Sequence, residues 1–159
     1  VDAADFTRFP QLDVHADFQA GAEFFDQTEW AEVYIGWEKA DGMMPMRKLF
    51  DAGTSITFSS DWTVNPINPL VAISNSLRMK STKGLPDIHT AIRAATINGA
   101  EALGLESITG SIEVGKSADL VVLDKNIVNS SHHGIEQSTV LMTMLQGEIV
   151  YEEGSLPLY

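Results

Sequence analysis

The sequence predicts an α/β protein. Its first 105 residues alternate strands with helices, and residues 106–159 form a β-rich remainder. Three observations carry that prediction. Strand-like runs at Val14–Gln19 and Ser55–Ser59 are each followed by a loop and then by helical patterning. Leu70, Ile73 and Leu77 recur at the spacing of one helical face. After Glu106, Gly110, Gly115, Gly134, Gly147 and Gly154 punctuate short β-branched runs in which no helical period survives.

Each element has a local reason. In the first strand Val14, Ala16 and Phe18 alternate onto one face. From Gly21 to Tyr34 carboxylates and aromatics mix without a period, the texture of a long loop. Pro45 starts a short helix, where its missing N–H costs little, and Gly53 supplies the left-handed stop after Ala52. Ser55–Ser59 reads as a buried strand running into Ser60-Asp61. Asn68 followed by Pro69 is an N-cap with Pro at the first helical position, so a helix is expected from Pro69 to about Met79. Ser81 to Gly84 reads as a polar loop. Pro86 opens the next helix, with Ile88, Ala91, Ile92 and Ala95 as its buried stripe, and Thr96 caps a shorter one ending near Gly104. Beyond residue 106, strands are expected at Leu120–Leu123, Val140–Leu145 and Ile149–Tyr151, with Gln146-Gly147 as a hairpin turn.

Composition narrows the function. The chain has 159 residues, 44% of them hydrophobic and 20% charged, the balance of a folded protein with a core. Its net charge of −12 and pI near 4.5 argue against nucleic acid and anionic membrane surfaces, both of which need clustered Lys and Arg. No apolar run reaches the ~18 residues of a membrane span. With no cysteine, any metal must be held by His, carboxylate or water. Val1-Asp2-Ala3-Ala4-Asp5 has neither an initiator Met nor the basic and apolar regions of a signal peptide, so the sequence reads as a chain entered midway. The expected compartment is the cytoplasm, a default on which the absence of cysteine says little.

The stretch Ser59 to Leu70 (SSDWTVNPINPL) is the first with chemical content. An Asp directly after a buried strand sits where barrel enzymes keep their chemistry, at the C-terminal strand ends. There a carboxylate binds a divalent metal or takes a proton from water. On local features alone Asp61 reads first as a turn-capping residue, because Asp favours such positions. Trp62 and Asn65 follow it as residues that line a pocket or cover core.

The second informative stretch, AIRAATINGAEALGLESITGSIEVGKSADLVVLD from Ala91 to Asp124, resembles the closing segment of metal-dependent amidohydrolases. Ala94, Thr96, Ala100, Leu103 and Gly104 fit its helix; Gly110-Ser111-Ile112, Gly115-Lys116 and Ala118 to Asp124 fit the glycine-punctuated stretch beyond that helix. Thr143, Gly147 and Ile149-Val150-Tyr151 resemble the final hairpin. Ser59-Ser60-Asp61-Trp62 and Asn68-Pro69-Leu70 are similar to the G-S-D-x-P-V and N-P-L motifs of the large family-three subgroup, though Trp62-Thr63 stands where that subgroup carries a proline. Gln19-Ala20-Gly21-Ala22 likewise replaces a common Gln-Pro-x-His. The resemblance spans nearly the whole chain.

The resemblance implies the C-terminal fragment of a (β/α)8 TIM barrel, its last strand–helix units in residues 1–105, plus the C-terminal strands of a small β-sandwich in residues 106–159. It implies hydrolysis of C–N bonds in an amide-like small-molecule substrate, with a divalent metal, zinc by resemblance, as cofactor. Asp61 takes the place of the catalytic, metal-binding Asp, and Trp62 and Asn65 stand as substrate-binding candidates. The other ligands of such a centre have no counterpart: no His-x-His occurs, and one carboxylate does not hold a catalytic zinc. The fragment alone is therefore expected to be inactive. Because some relatives of this architecture are regulators of exoenzyme production, a non-catalytic interaction protein is the competing class. The expected partners are a small molecule and further copies of the chain through exposed strand edges, with no nucleic acid and no membrane.

The other candidates read as structural. His15 alternates away from Val14 and Ala16, and His89 lies in the first turns of a helix at the surface. His132-His133 is a tempting metal pair, but adjacent side chains diverge in regular structure, and a sandwich loop is their expected place. Arg78 is expected in an ion pair, Lys116 in a solvated turn, and the acidic stretch from Glu23 to Glu38 in a solvated loop.

Overall fold

The computed structural model describes residues 2–21, 30–79 and 83–154. A 3-10 turn (Ala3–Asp5) and α1 (Arg8–Gln11) lead into β1 (Ala16–Gln19). Helical residues 30–35 (α2), α3 (Trp37–Asp41) and α4 (Met46–Asp51) then carry the chain back to β2 (Ile56–Ser59). β1 and β2 pair in parallel, with Ala16 opposite Ile56 and Gln19 opposite Ser59. Such pairing requires a crossover of this helical kind, because a tight turn reverses the chain. Three helices follow: α5 (Pro69–Arg78), α6 (Ile88–Ala94) and α7 (Ile97–Ala102). A separate antiparallel sheet in the order β3 (Leu120–Leu123), β4 (Val140–Leu145), β5 (Glu148–Glu152) completes the α/β chain. Between β3 and β4 lie a 3-10 turn (Ile127–Asn129) and α8 (His132–Glu136). Among the described residues no helix is long and apolar enough to cross a membrane.

One core lies between the parallel pair and its helices. Ala16 and Phe18 of β1 and Ile56 of β2 pack with Met46 and Leu49 of α4, Leu70 and Ile73 of α5, and Ala91 and Ala94 of α6. Burying a side chain such as Leu49 or Ile56 contributes about 1.5–3 kcal/mol. Val14, expected on this apolar face, is exposed instead. It precedes the strand, and its N–H closes the turn after α1 by donating to the Phe9 carbonyl at 2.9 Å.

Side-chain caps start α5, α6 and α8, whereas α1, α3, α4 and α7 have none. Asn68 Oδ1 accepts the Leu70 N–H at 3.0 Å ahead of Pro69, as its position predicts. Pro45 is the N-cap residue of α4, one place before the first helical position that the sequence suggests for it. Pro86 likewise does not open α6: Asp87 caps it, taking the Thr90 N–H at 2.8 Å, and the helix begins at Ile88. Thr96 precedes α7 without capping it, because its hydroxyl donates back to the Ile92 carbonyl at 2.7 Å. The polar loop expected from Ser81 lies partly outside the described residues, as do residues 22–29 of the long acidic loop. The rest of that loop is helical at 30–35. Trp30 and Tyr34, one helical turn apart, bring their ring centroids within 4.0 Å, a contact that favours helix.

The second half holds a helix that its sequence does not announce. Ser131 Oγ accepts the Gly134 N–H at 3.2 Å and starts α8, whose Ile135 is 1% exposed and joins the main core. Ser74 of α5 donates to the His132 carbonyl at 2.9 Å, and Arg78 lies 3.7 Å from Glu136. His132-His133 therefore heads a helix docked on α5 rather than decorating a loop. His133 Nδ1 sits 2.6 Å from Glu136 Oε1, which fixes that ring within its own helix.

A carboxylate knot holds the β-rich half. Asp119 accepts hydrogen bonds from the Gln146 N–H (2.8 Å), the Thr109 hydroxyl (2.7 Å) and the Ser117 hydroxyl (2.8 Å). It thereby ties the turns after α7 to the β4–β5 hairpin. Gln146 and Gly147 both have positive φ, 53° and 86°, as a two-residue hairpin turn demands. Lys116 is mostly buried against Ser111 and Glu113 rather than solvated. The three donors, Gln146 foremost, hold the Asp119 carboxyl below its ordinary value. A carboxylate favoured in the folded state stabilises it above the unfolded-state pKa, and that contribution is lost as pH falls through the depressed folded value. Asp119→Asn should accordingly be less stable than wild type at neutral pH. The gap in melting temperature should close on acidification below the ordinary carboxylate range; a gap independent of pH would count against the knot.

Candidate active site

The two parallel strands divide their faces by chemistry. Ala16, Phe18, Ile56 and Phe58 face the helices, while Asp17, Gln19, Thr57 and Ser59 share the opposite face in register. Asp17 takes the Thr57 hydroxyl at 2.9 Å and also the Ser59 hydroxyl, so one carboxylate clamps both strands near the end of β2. His15 lies just before this face, partly buried, and its Nδ1 is buried without a hydrogen-bond partner.

Asp61 stands two residues past the end of β2. Its φ of 53° turns the chain, and its carbonyl accepts the Val64 N–H at 2.6 Å. Asp is among the few non-glycine residues that visit this region readily. The Asp61 side chain is exposed. Trp62 is exposed as well, and the Trp62–Thr63 peptide is cis. Asn65, by contrast, is 1% exposed and lies against Gly21, where a Cβ would overlap the Asn65 carboxamide. The strand ends are thus built by close contact between the segment after β1 and the segment after β2.

Two further amides, which no sequence motif marks, brace the strand pair, one just past the end of β1 and one at the start of β2. Asn75 of α5, buried, donates to the Ala20 carbonyl at 3.1 Å, and Asn98 of α7 donates to the Ile56 carbonyl at 2.9 Å. Asn75 is signalled only as a polar residue on a mostly buried helix face, and Asn98 not even by that. Between the end of β2 and the start of α5 lies a cavity of about 320 Å³ walled by Phe58, Pro66, Ile67, Pro69, Val71 and Ala72. Neither Trp62 nor Asn65 lines it.

Among the described residues no three His, Asp or Glu side chains converge on a point where a metal ion would sit. A catalytic zinc takes three protein ligands and an open position, so these residues do not make a metal centre by themselves. Asp61 offers one exposed carboxylate at the strand end; His89 is exposed on α6, and His132 and His133 are committed to α8.

A sequence profile of the amidohydrolase family matches residues 1–151. An N-substituted formamide deformylase of Arthrobacter pascens is 31% identical over 134 residues, covering 77% of this chain and 25% of that protein. The solved amidohydrolase from Thermotoga maritima MSB8 superposes with a TM-score of 0.63 at 21% identity, over 95% of this chain and 35% of that one. An adenosine deaminase from Xanthomonas campestris with bound zinc superposes with a TM-score of 0.57 at 18% identity, over 96% of this chain and 50% of the other. The chain therefore spans a quarter of the length of the deformylase.

Proposed function

The chain belongs to the amidohydrolase family, and from that premise we propose that it is the C-terminal portion of a metal-dependent hydrolase of C–N bonds in amide-like small molecules. The observation that carries this reading is an Asp presented at the C-terminal end of a parallel strand, within a family match that runs almost the length of the chain. On this reading residues 1–105 are the last strand–helix units of a (β/α)8 barrel, and residues 106–159 belong to a small β-sandwich. Barrel enzymes carry their chemistry at that face of the strands.

Asp61 would accept the proton of the attacking water and return it to the leaving nitrogen, a general base and then a general acid. Its exposure leaves the carboxylate accessible to substrate, and the Asp17 clamp on Ser59 and the Asn98 bond to Ile56 hold the strand that presents it. Trp62 would stand at the rim, whereas Asn65 would support the loop from beneath. A divalent ion supplies Lewis acidity in such hydrolases. Support for zinc comes from the fold neighbour that carries it. This stretch would contribute Asp61 alone to the centre, with the remaining ligands on other parts of the full-length protein.

Chelation tests the reading. Full-length protein should hydrolyse simple N-formyl amines, lose at least about 100-fold of that rate on removal of divalent metal, and recover it with zinc. Residues 1–159 alone should be inactive under the same conditions. Turnover that ignores a chelator would overturn the assignment, as would a full-length protein inert towards every amide tried.

A further inference from the structure

The cavity beside the Asp61 turn is uneven in its chemistry. Its six apolar walls come from the end of β2, the 66–69 turn and the first turn of α5. Its polar lining is confined to Ser59, Ser60 and Asn68, and two of these are already engaged. Ser59 donates to Asp17, and Asn68 Oδ1 receives the Leu70 N–H. None of the described lining residues is charged. A charged group entering here would lose its hydration with no counter-ion to replace it, whereas an apolar group would gain by the same burial.

Size and position point the same way. The volume of about 320 Å³ lies at the lower end of the ~300–1,000 Å³ found for small-molecule sites. That is room for a branched alkyl group or a single ring rather than a whole large substrate. Ser60 in the lining immediately precedes Asp61, and Gly21 brings the segment after β1 to the same wall. The space therefore begins one residue along the chain from Asp61, which does not itself line it.

We infer that this cavity receives the apolar substituent of the substrate, an uncharged alkyl or single-ring group attached next to the scissile C–N bond. The inference deepens the hydrolase reading and rests on it for the identity of the rest of the ligand. It makes Ile67 and Ala72 determinants of specificity.

Binding is best read apart from turnover. Calorimetric titration of the full-length protein with N-cyclohexylacetamide and N-methylacetamide should show the cyclohexyl compound bound at least about tenfold more tightly. Ala72→Leu fills the cavity and should cut that preference to below about threefold. Because Ala72 is buried, Ile67→Ser serves as the second variant: Ile67 is 68% exposed, so its loss leaves the fold intact and should lower the preference in the same direction. Equal affinity of the two amides for wild type, or a preference that survives both substitutions, overturns the inference. Selective binding without hydrolysis of any amide would leave the apolar pocket standing and remove the hydrolase reading. Hydrolysis of amides with no preference for the larger group would do the reverse.

Discussion

Asp61→Asn in the full-length protein is expected to lower kcat/KM for amide hydrolysis by about 10²–10⁴-fold, the usual contribution of a positioned general acid–base group. The melting temperature should stay within a degree or two of wild type. Both halves of that expectation follow from where the residue stands. Asp61 contributes to the fold through its backbone, by its φ of 53° and its carbonyl bond to Val64. Asn adopts the same left-handed conformation at least as readily as Asp, so the turn survives the change. Ala would be the poorer choice, since a side chain without that tolerance adds about 1–3 kcal/mol of backbone strain and blurs a catalytic loss with a structural one. The side chain itself is exposed and enters none of the described hydrogen bonds or ion pairs. Steady-state kinetics beside a thermal melt separates the two effects. Near-wild-type kcat/KM would sink the role given to Asp61, and a large loss of stability would show that the carboxylate serves the fold.

Legible in the sequence is whatever a single residue or a short spacing dictates. Asn68-Pro69 starts α5 where expected, and Gln146-Gly147 turns the last hairpin, because both depend on local backbone preference. The same local logic misjudges Pro86 and Thr96. Asp87 takes the capping bond after Pro86, and the Thr96 hydroxyl turns back to the preceding helix. α8 escapes because a helix of five residues with one buried side chain has no period to detect, and its stability comes from docking on α5. The supports of the candidate site are out of reach for a related reason. Asp17 meets Thr57 across forty positions of sequence, and Asn98 meets Ile56 across forty-two. Pairing at that distance is decided by strand register and helix docking, which no local pattern reports. Asp61 stands out in the sequence because the strand before it and the turn after it are both local features.

Gly110→Ala should destabilise the protein by about 2–6 kcal/mol, a large effect for one methyl group. Two costs coincide at this position. Its φ of +89° lies where an L side chain is strained, worth about 1–3 kcal/mol. A Cβ there would also lie 2.7 Å from the Ala100 Cβ and 3.0 Å from the Ile97 Cα, and relieving such overpacking costs about 1–3 kcal/mol more. Gly115 isolates the first cost, because its φ of +94° is similar but a Cβ there meets nothing within 4 Å. Gly115→Ala should therefore cost about 1 kcal/mol, and the difference between the two denaturant midpoints measures the packing contribution alone. Equal losses at both sites would mean that the approach to α7 is not close. The consequence extends to the candidate site, because α7 carries Asn98, whose carboxamide holds the Ile56 carbonyl on the strand leading to Asp61. A methyl group that pushes α7 away from the Gly110 turn also pulls at that bond. In the full-length protein Gly110→Ala is thus expected to lower activity beyond its share of unfolded molecules, whereas Gly115→Ala should not.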